Sequence, residues 1–154
     1  MLRRHKLNVL PSPDPAEQAR YQFDEQVGFL MRIALQRHTS LFAARMVESL
    51  TQTQFAALAK LHDVGPCSQN HLGRLIYLDA ATIKGVVDRL GARGLVTALN
   101  DPNDRRRRAV TLTERGRRAT EAAMAVAADI SAETLAPLSA DERRTMEKLL
   151  KKLC

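Results

Sequence analysis

Residues 101–116 restrict the choice of fold more than any other stretch of this chain. They read Asp-Pro-Asn-Asp, then four consecutive arginines (Arg105, Arg106, Arg107 and Arg108), then Ala-Val-Thr-Leu-Thr. Four adjacent guanidiniums cannot share a buried site, because each keeps water or an anion as its partner. Pro102, with the Asp and Asn residues around it, signals a tight turn. Beyond the arginines, Val110 and Leu112 alternate with Thr111 and Thr113 as in a strand. The pattern predicts a basic turn tip in solvent, carried by two strands at 95–99 and 108–112.

Charge is concentrated in the same place. Between Asp101 and Arg118 stand seven Arg against three acids, an excess of +4 that holds more than half of the net charge of +7. Such a segment suits a polyanion, and a solvated charged loop is the bland alternative. The 154 residues suffice for one domain with a substantial core. With 4% aromatics and no Trp, a mainly α fold with a small β-ribbon is expected.

Several classes find no support. Cys67 and Cys154 offer neither metal-ligand spacing nor a disulfide framework. Arg3, Arg4 and Lys6 precede no apolar run long enough for a signal peptide, and no transmembrane stretch follows, so a cytoplasmic chain without membrane partners is expected. There is no Gly-rich phosphate loop, metal pair or nucleophile elbow, and His5, His38, His62 and His71 are scattered. The expectation is no enzyme, no cofactor and no metal.

Helix signals fill the rest. Residues 1–15, basic and with Pro11, Pro13 and Pro15, read as an arm. From about Glu17 to Leu50, Phe23, Val27, Leu30, Ile33, Leu41 and Met46 recur at helical spacing, as one long helix or two abutting ones. Thr51 and Gln54 form a capping box; Ser68 caps a short helix; Asp79 caps the helix 80–93, which Gly94 closes. Thr113 opens a long Ala-rich helix broken at Pro137, and Ser139 with Glu142 opens the last one. The terminal helices carry more apolar surface than a small domain covers, which suggests a helical homodimer interface.

In the helix 80–93, Ile83, Val86, Val87 and Leu90 share one face, while Ala81, Gly85 and Asp88 lie opposite, flanked by Lys84 and Arg89. Small residues at the centre and cations at the edges would let this face press into a DNA major groove; an ordinary surface helix has the same pattern. With the basic ribbon beside it, a winged helix–turn–helix and double-stranded DNA become the leading reading.

The ordered text Leu50-Thr-Gln-Thr-Gln-Phe, Leu72-Gly-Arg-Leu, Thr82-Ile-Lys-Gly-Val-Val-Asp-Arg-Leu, Arg93-Gly-Leu-Val, Asp101-Pro-Asn-Asp-Arg-Arg and Leu112-Thr-Glu-Arg-Gly resembles MarR-family transcriptional regulators over roughly residues 50–118. The resemblance implies a homodimer with a DNA-binding region at 51–118 and a dimerisation region at 16–50 and 119–154. It also implies a pseudo-palindromic operator, usually repressed, and release by a small, often aromatic, acid. By position, 79–93 becomes the recognition helix, with Thr82, Lys84 and Arg89 as contacts and Ala81 against a thymine methyl. Asp88 would hold an arginine in place or accept from a cytosine amine. The family's Asp-x-Arg motif falls on Asp104 and Arg106, Asp104 orienting the tip and Arg106 entering the minor groove. Arg105, Arg107 and Arg108 would add phosphate contacts, and Ser68 would help present amides to a phosphate.

The stretch Gly28-Phe-Leu-Met-Arg through His38-Thr-Ser-Leu-Phe is similar, more loosely, to regulators of aromatic or pyridine-carboxylate catabolism within the family. An effector on this helix would draw on Arg32, Gln36 and His38. Two alternatives stay open: a redox regulator using Cys67, whose place before a helix could lower its pKa, and a DNA-architectural protein with no effector.

Overall fold

The computed structural model describes residues 21–101 and 104–153, the side chains of 100, 101 and 104–108 excepted. The expected arm at 1–15 lies outside the described residues. The helices are α1 (Val27–Arg45), α2 (Gln52–Val64), α3 (Gln69–Leu75), α4 (Ala80–Ala92), α5 (Glu114–Thr134) and α6 (Ala140–Leu153). Three strands, β1 (Cys67–Ser68), β2 (Val96–Asp101) and β3 (Asp104–Leu112), form an antiparallel sheet in the order β1-β3-β2. The mainly α fold with a β-ribbon stands as expected.

Capping side chains stand where their spacing places them, because each takes a backbone amide that the first helical turn leaves unpaired. Thr51 Oγ1 accepts from the Gln54 amide at 3.2 Å and Gln54 Oε1 accepts from the Thr51 amide at 3.1 Å. Ser68 Oγ accepts from the His71 amide at 3.2 Å, and Thr113 Oγ1 from that of Gly116 at 2.9 Å. Ser139 and Glu142 reciprocate at 3.4 and 2.7 Å.

The chain divides into two compact units, 1–34 and 35–154. In the first, a 3-10 turn at Phe23–Glu25 precedes α1, and the Phe23 and Phe29 rings lie 4.3 Å apart. Its apolar positions stay in solvent: Phe23, Val27, Leu30 and Ile33 are all exposed. In the second, Leu58, Leu72, Ile83, Leu90, Leu95 and Ile130 are fully buried. The single helix or helix pair expected up to Leu50 ends at Arg45, where a 3-10 turn at Val47–Ser49 intervenes. There Glu48 and Ser49 take left-handed φ of 57° and 49°.

Two elements differ from the sequence reading. The ribbon strands run further than 95–99 and 108–112, reaching Asp101 and starting at Asp104, so the arginines lie within β3 and not at its turn. The ladder needs only backbone groups, so Asn100 still pairs with Arg108 and Asp101 with Asp104, while the irregularity between Asn100 and Asp101 sets residues 105–107 opposite no β2 position. The other difference is β1, too short for any periodicity, which pairs Cys67 with Val110 and Ser68 with Ala109.

Candidate nucleic-acid interface

The α4 helix is built from its N-cap. Asp79 Oδ1 accepts from the Thr82 amide at 2.8 Å, and Oδ2 accepts from the Thr82 hydroxyl at 2.7 Å. The Thr82 hydroxyl first, then its amide, hold the Asp79 carboxyl below the usual carboxylate range. A pKa lowered on folding adds stability above the unfolded value, and this is lost as pH falls through the folded value. The first turn of α4 is therefore expected to loosen on acidification below about pH 4, the unfolded Asp range. Asp79→Asn should flatten that part of the pH profile of amide exchange; an acid limb unchanged in the variant would refute this.

Ile83, Val86 and Leu90 anchor the inner face of α4 in the core, which leaves Ala81, Thr82, Lys84, Asp88 and Arg89 exposed on the outside. That is the arrangement the sequence predicts for a groove-binding face. Within it the partners differ from expectation. Asp88 Oδ2 takes Lys84 Nζ at 2.6 Å, so Asp88 holds a lysine and not an arginine. The i,i+4 spacing favours this pair because both side chains leave the same strip of the helix. Arg89 lies back along the helix, and a Cβ placed on Gly85 would meet its Nη1 at 3.3 Å. Gly85 thus leaves room for a guanidinium as well as for an approaching backbone.

This arrangement makes Arg89 the more available cation of the two. Arg89→Ala is expected to weaken DNA binding by about 1–3 kcal/mol, and Lys84→Ala by less, since Asp88 already balances that charge. Competition titrations at one salt concentration would show it; equal losses would count against the ranking.

Ser68 is exposed at the junction of β1 and α3, with its oxygen engaged in the α3 cap. The wing backbone places Asp104 opposite Asp101 and brings Arg105, Arg106 and Arg107 into β3, while their side chains lie outside the described residues. Of the other cations counted there, Arg115 pairs with Glu48 at 2.9 Å and Arg118 with Glu114 at 3.1 Å. Part of the local excess is therefore neutralised within the fold.

Glu48 is the residue sequence reasoning missed. Its carboxylate also meets Arg93 at 3.4 Å, and Arg93 donates to the Glu48 carbonyl. The end of α4 and the start of α5 are thereby tied to the connection before α2. A lone acid in an irregular stretch carries no spacing signal, so only the contact reveals it.

For the effector, His38, Leu35 and Phe42 of α1, Gln52 and Phe55 of α2, and Ala127 and Ser131 of α5 line a cavity of ≈ 340 Å³. His38 is thus placed where a ligand could reach it. Gln36 is not among the lining residues; Arg32 belongs to the first unit, with its guanidinium 5.1 Å from the Phe29 ring centre. Cys67 runs opposite to the redox expectation: burial pushes its thiol pKa up. The helix that follows is only seven residues long, and burial of the thiol is what moves its pKa. Among the described residues no cluster could hold a metal, and no helix is long and apolar enough to cross a membrane.

Comparison with known proteins agrees with this geometry. The model of the MarR family matches residues 50–107. The transcriptional repressor NicR of Pseudomonas putida is 42% identical over 144 residues, covering 93% of this chain and 91% of that one. A probable transcriptional regulator from Pseudomonas aeruginosa superposes with a TM-score of 0.83 at 50% identity, over 86% of this chain and all of the other. BpsR of Bordetella bronchiseptica, whose DNA binding is regulated by 6-hydroxynicotinic acid, superposes at 0.80 with 40% identity, over 86% and 96% of the two chains.

Proposed function

This chain belongs to the MarR family of transcriptional regulators, and on that premise we propose that it is a homodimeric repressor released from a pseudo-palindromic operator by a small aromatic or pyridine carboxylate or its thioester. The observation that carries the effector half is the cavity at the α1–α2–α5 junction, walled by Phe42 and Phe55 with ring centres 6.0 Å apart. It has the volume and the aromatic lining a single substituted ring needs. Because α2 packs on α4 and α5, a ligand wedged against α2 bears on the recognition helix. The likeness to NicR and BpsR supports the same ligand class.

On this reading Ser68, Ala81, Thr82, Lys84 and Arg89 meet the major groove and its flanking phosphates, and Asp104 to Arg107 form the wing contact. His38 would meet the effector from the cavity wall. Residues 51–118 form the DNA-binding region; 16–50 and 119–154 form the dimerisation region. For the latter, α6 leaves Leu149, Leu150 and Leu153 in solvent, where with Met146 they line a groove of ≈ 440 Å³. Exposed apolar surface of this kind suits a self-complementary helical interface.

The test is a titration of DNA fragments flanking the protein's own gene, at fixed salt, with and without a panel of aromatic and pyridine carboxylates. Selective binding lost with one acid is expected. Selective binding indifferent to every acid would remove the effector half, and binding without sequence preference would overturn the operator reading.

A further inference from the structure

We propose that Thr134 locks His38 in the tautomer that leaves ring Nε2 as a hydrogen-bond acceptor, making His38 select aromatic ligands that present an N–H or O–H donor. This rests on the effector reading above and names the chemistry of that site. Thr134 stands in the last turn of α5, its hydroxyl 2.8 Å from the Ile130 carbonyl oxygen one turn back. Two oxygens this close need a hydrogen between them. The carbonyl has none, so the single hydroxyl hydrogen of Thr134 lies there. His38 Nδ1 is 2.9 Å from the same Thr134 oxygen, a contact that also needs a hydrogen, and only the imidazole is left to supply it. Nδ1 therefore carries the proton. In the neutral ring, Nε2 is then a bare lone pair.

The rest of the wall matches. Ser131 donates its hydroxyl hydrogen to the Ala127 carbonyl at 2.9 Å, which leaves only its oxygen lone pairs for a ligand. His38 and Ser131 thus add two acceptors to the wall of a slot lined also by Leu35, Phe42, Phe55 and Gln52, the Gln52 amide nitrogen being turned to Thr39 Oγ1 at 3.5 Å. A ligand with a donor there completes the hydrogen bonds. One with a lone pair leaves both sides unpaired, which is how a polar site rejects the analogue that cannot pair with it. Thr134 is a positioning residue, acting through the imidazole without meeting the ligand.

The experiment uses the full chain with 15N-labelled histidine at about pH 8, where an unperturbed imidazole is neutral. The probes are 6-hydroxynicotinic acid, whose lactam form carries a ring N–H, and nicotinic acid, whose ring nitrogen is a lone pair. The wild type should show the Nδ1–H pattern for His38, a shift of Nε2 on adding the lactam, and at least about tenfold weaker binding of nicotinic acid. Thr134→Val should mix the tautomers and narrow that ratio to about two- or threefold, and Thr134→Ser should restore both. An Nε2–H pattern in the wild type, or a ratio that Thr134→Val leaves untouched, overturns the proposal. Failure of both acids to bind overturns its ligand half through the effector reading, a case marked by a spectrum that still shows Nδ1–H.

Discussion

Gly116→Ala is expected to destabilise the fold by about 3 kcal/mol or more, a large share of the stability of a typical domain. Gly116 is buried in the first turn of α5. A Cβ there would stand 1.8 Å from the Leu95 carbonyl oxygen and 2.8 Å from its carbon. That carbonyl cannot move aside freely, because it accepts from the Thr113 amide at 3.1 Å and lies 3.3 Å from the Thr113 hydroxyl. Leu95 itself is fully buried. In an exposed helix interior the same exchange stabilises by roughly 0.5–1 kcal/mol, so the clash must win by a wide margin. Gly91→Ala is the internal control: it lies in α4 with nothing within 4 Å of a new Cβ. Denaturant midpoints would separate the two. A Gly116→Ala protein as stable as the wild type would mean the α5–β2 corner is much looser than its hydrogen bonds indicate. The end of α4, the start of β2 and the start of α5 meet here, so operator affinity should fall with stability.

Arg106→Ala is expected to weaken operator binding by about 1–3 kcal/mol, roughly five- to a hundredfold, while fold and oligomeric state stay unchanged. Arg106 occupies the Arg of the Asp-x-Arg pattern, in the stretch of β3 between two positions paired with β2, Asp104 opposite Asp101 and Arg108 opposite Asn100. A narrow minor groove has the negative potential to receive a guanidinium, and Arg106→Lys should recover only part of the affinity. Neutralising Arg105 or Arg107 should act differently, lowering the salt slope by about one for each phosphate contact removed. Anisotropy titrations at several salt concentrations measure both effects. Unchanged affinity of the Arg106→Ala protein would remove the wing assignment.

Short-range features were legible in the sequence. Thr51, Ser68, Asp79, Thr113 and Ser139 act within three residues of themselves, so their caps follow from spacing alone. The buried face of α4 followed from period, because Ile83, Val86 and Leu90 lie a turn apart whatever surrounds them. The extent of the ribbon was not legible, since charge and Pro102 spoke for a loop while the deciding backbone pairing comes from β2. Nor could spacing choose a partner for Asp88, which had cations on both sides, Lys84 and Arg89. Geometry gave it Lys84.

By itself the sequence determined the capped starts of five helices, the inward face of α4, the basic stretch before Val110 and the family likeness. Each of these is written in neighbours three or four residues apart or in ordered motifs. Only the tertiary structure decided that Glu48 ties Arg93 and Arg115 together, that Gly116 must lack a side chain against Leu95, and that Thr134 meets His38 across 96 residues. Contacts of that range depend on how α1, α2, α4 and α5 pack, and packing is a property of the assembled core that no local window of residues contains.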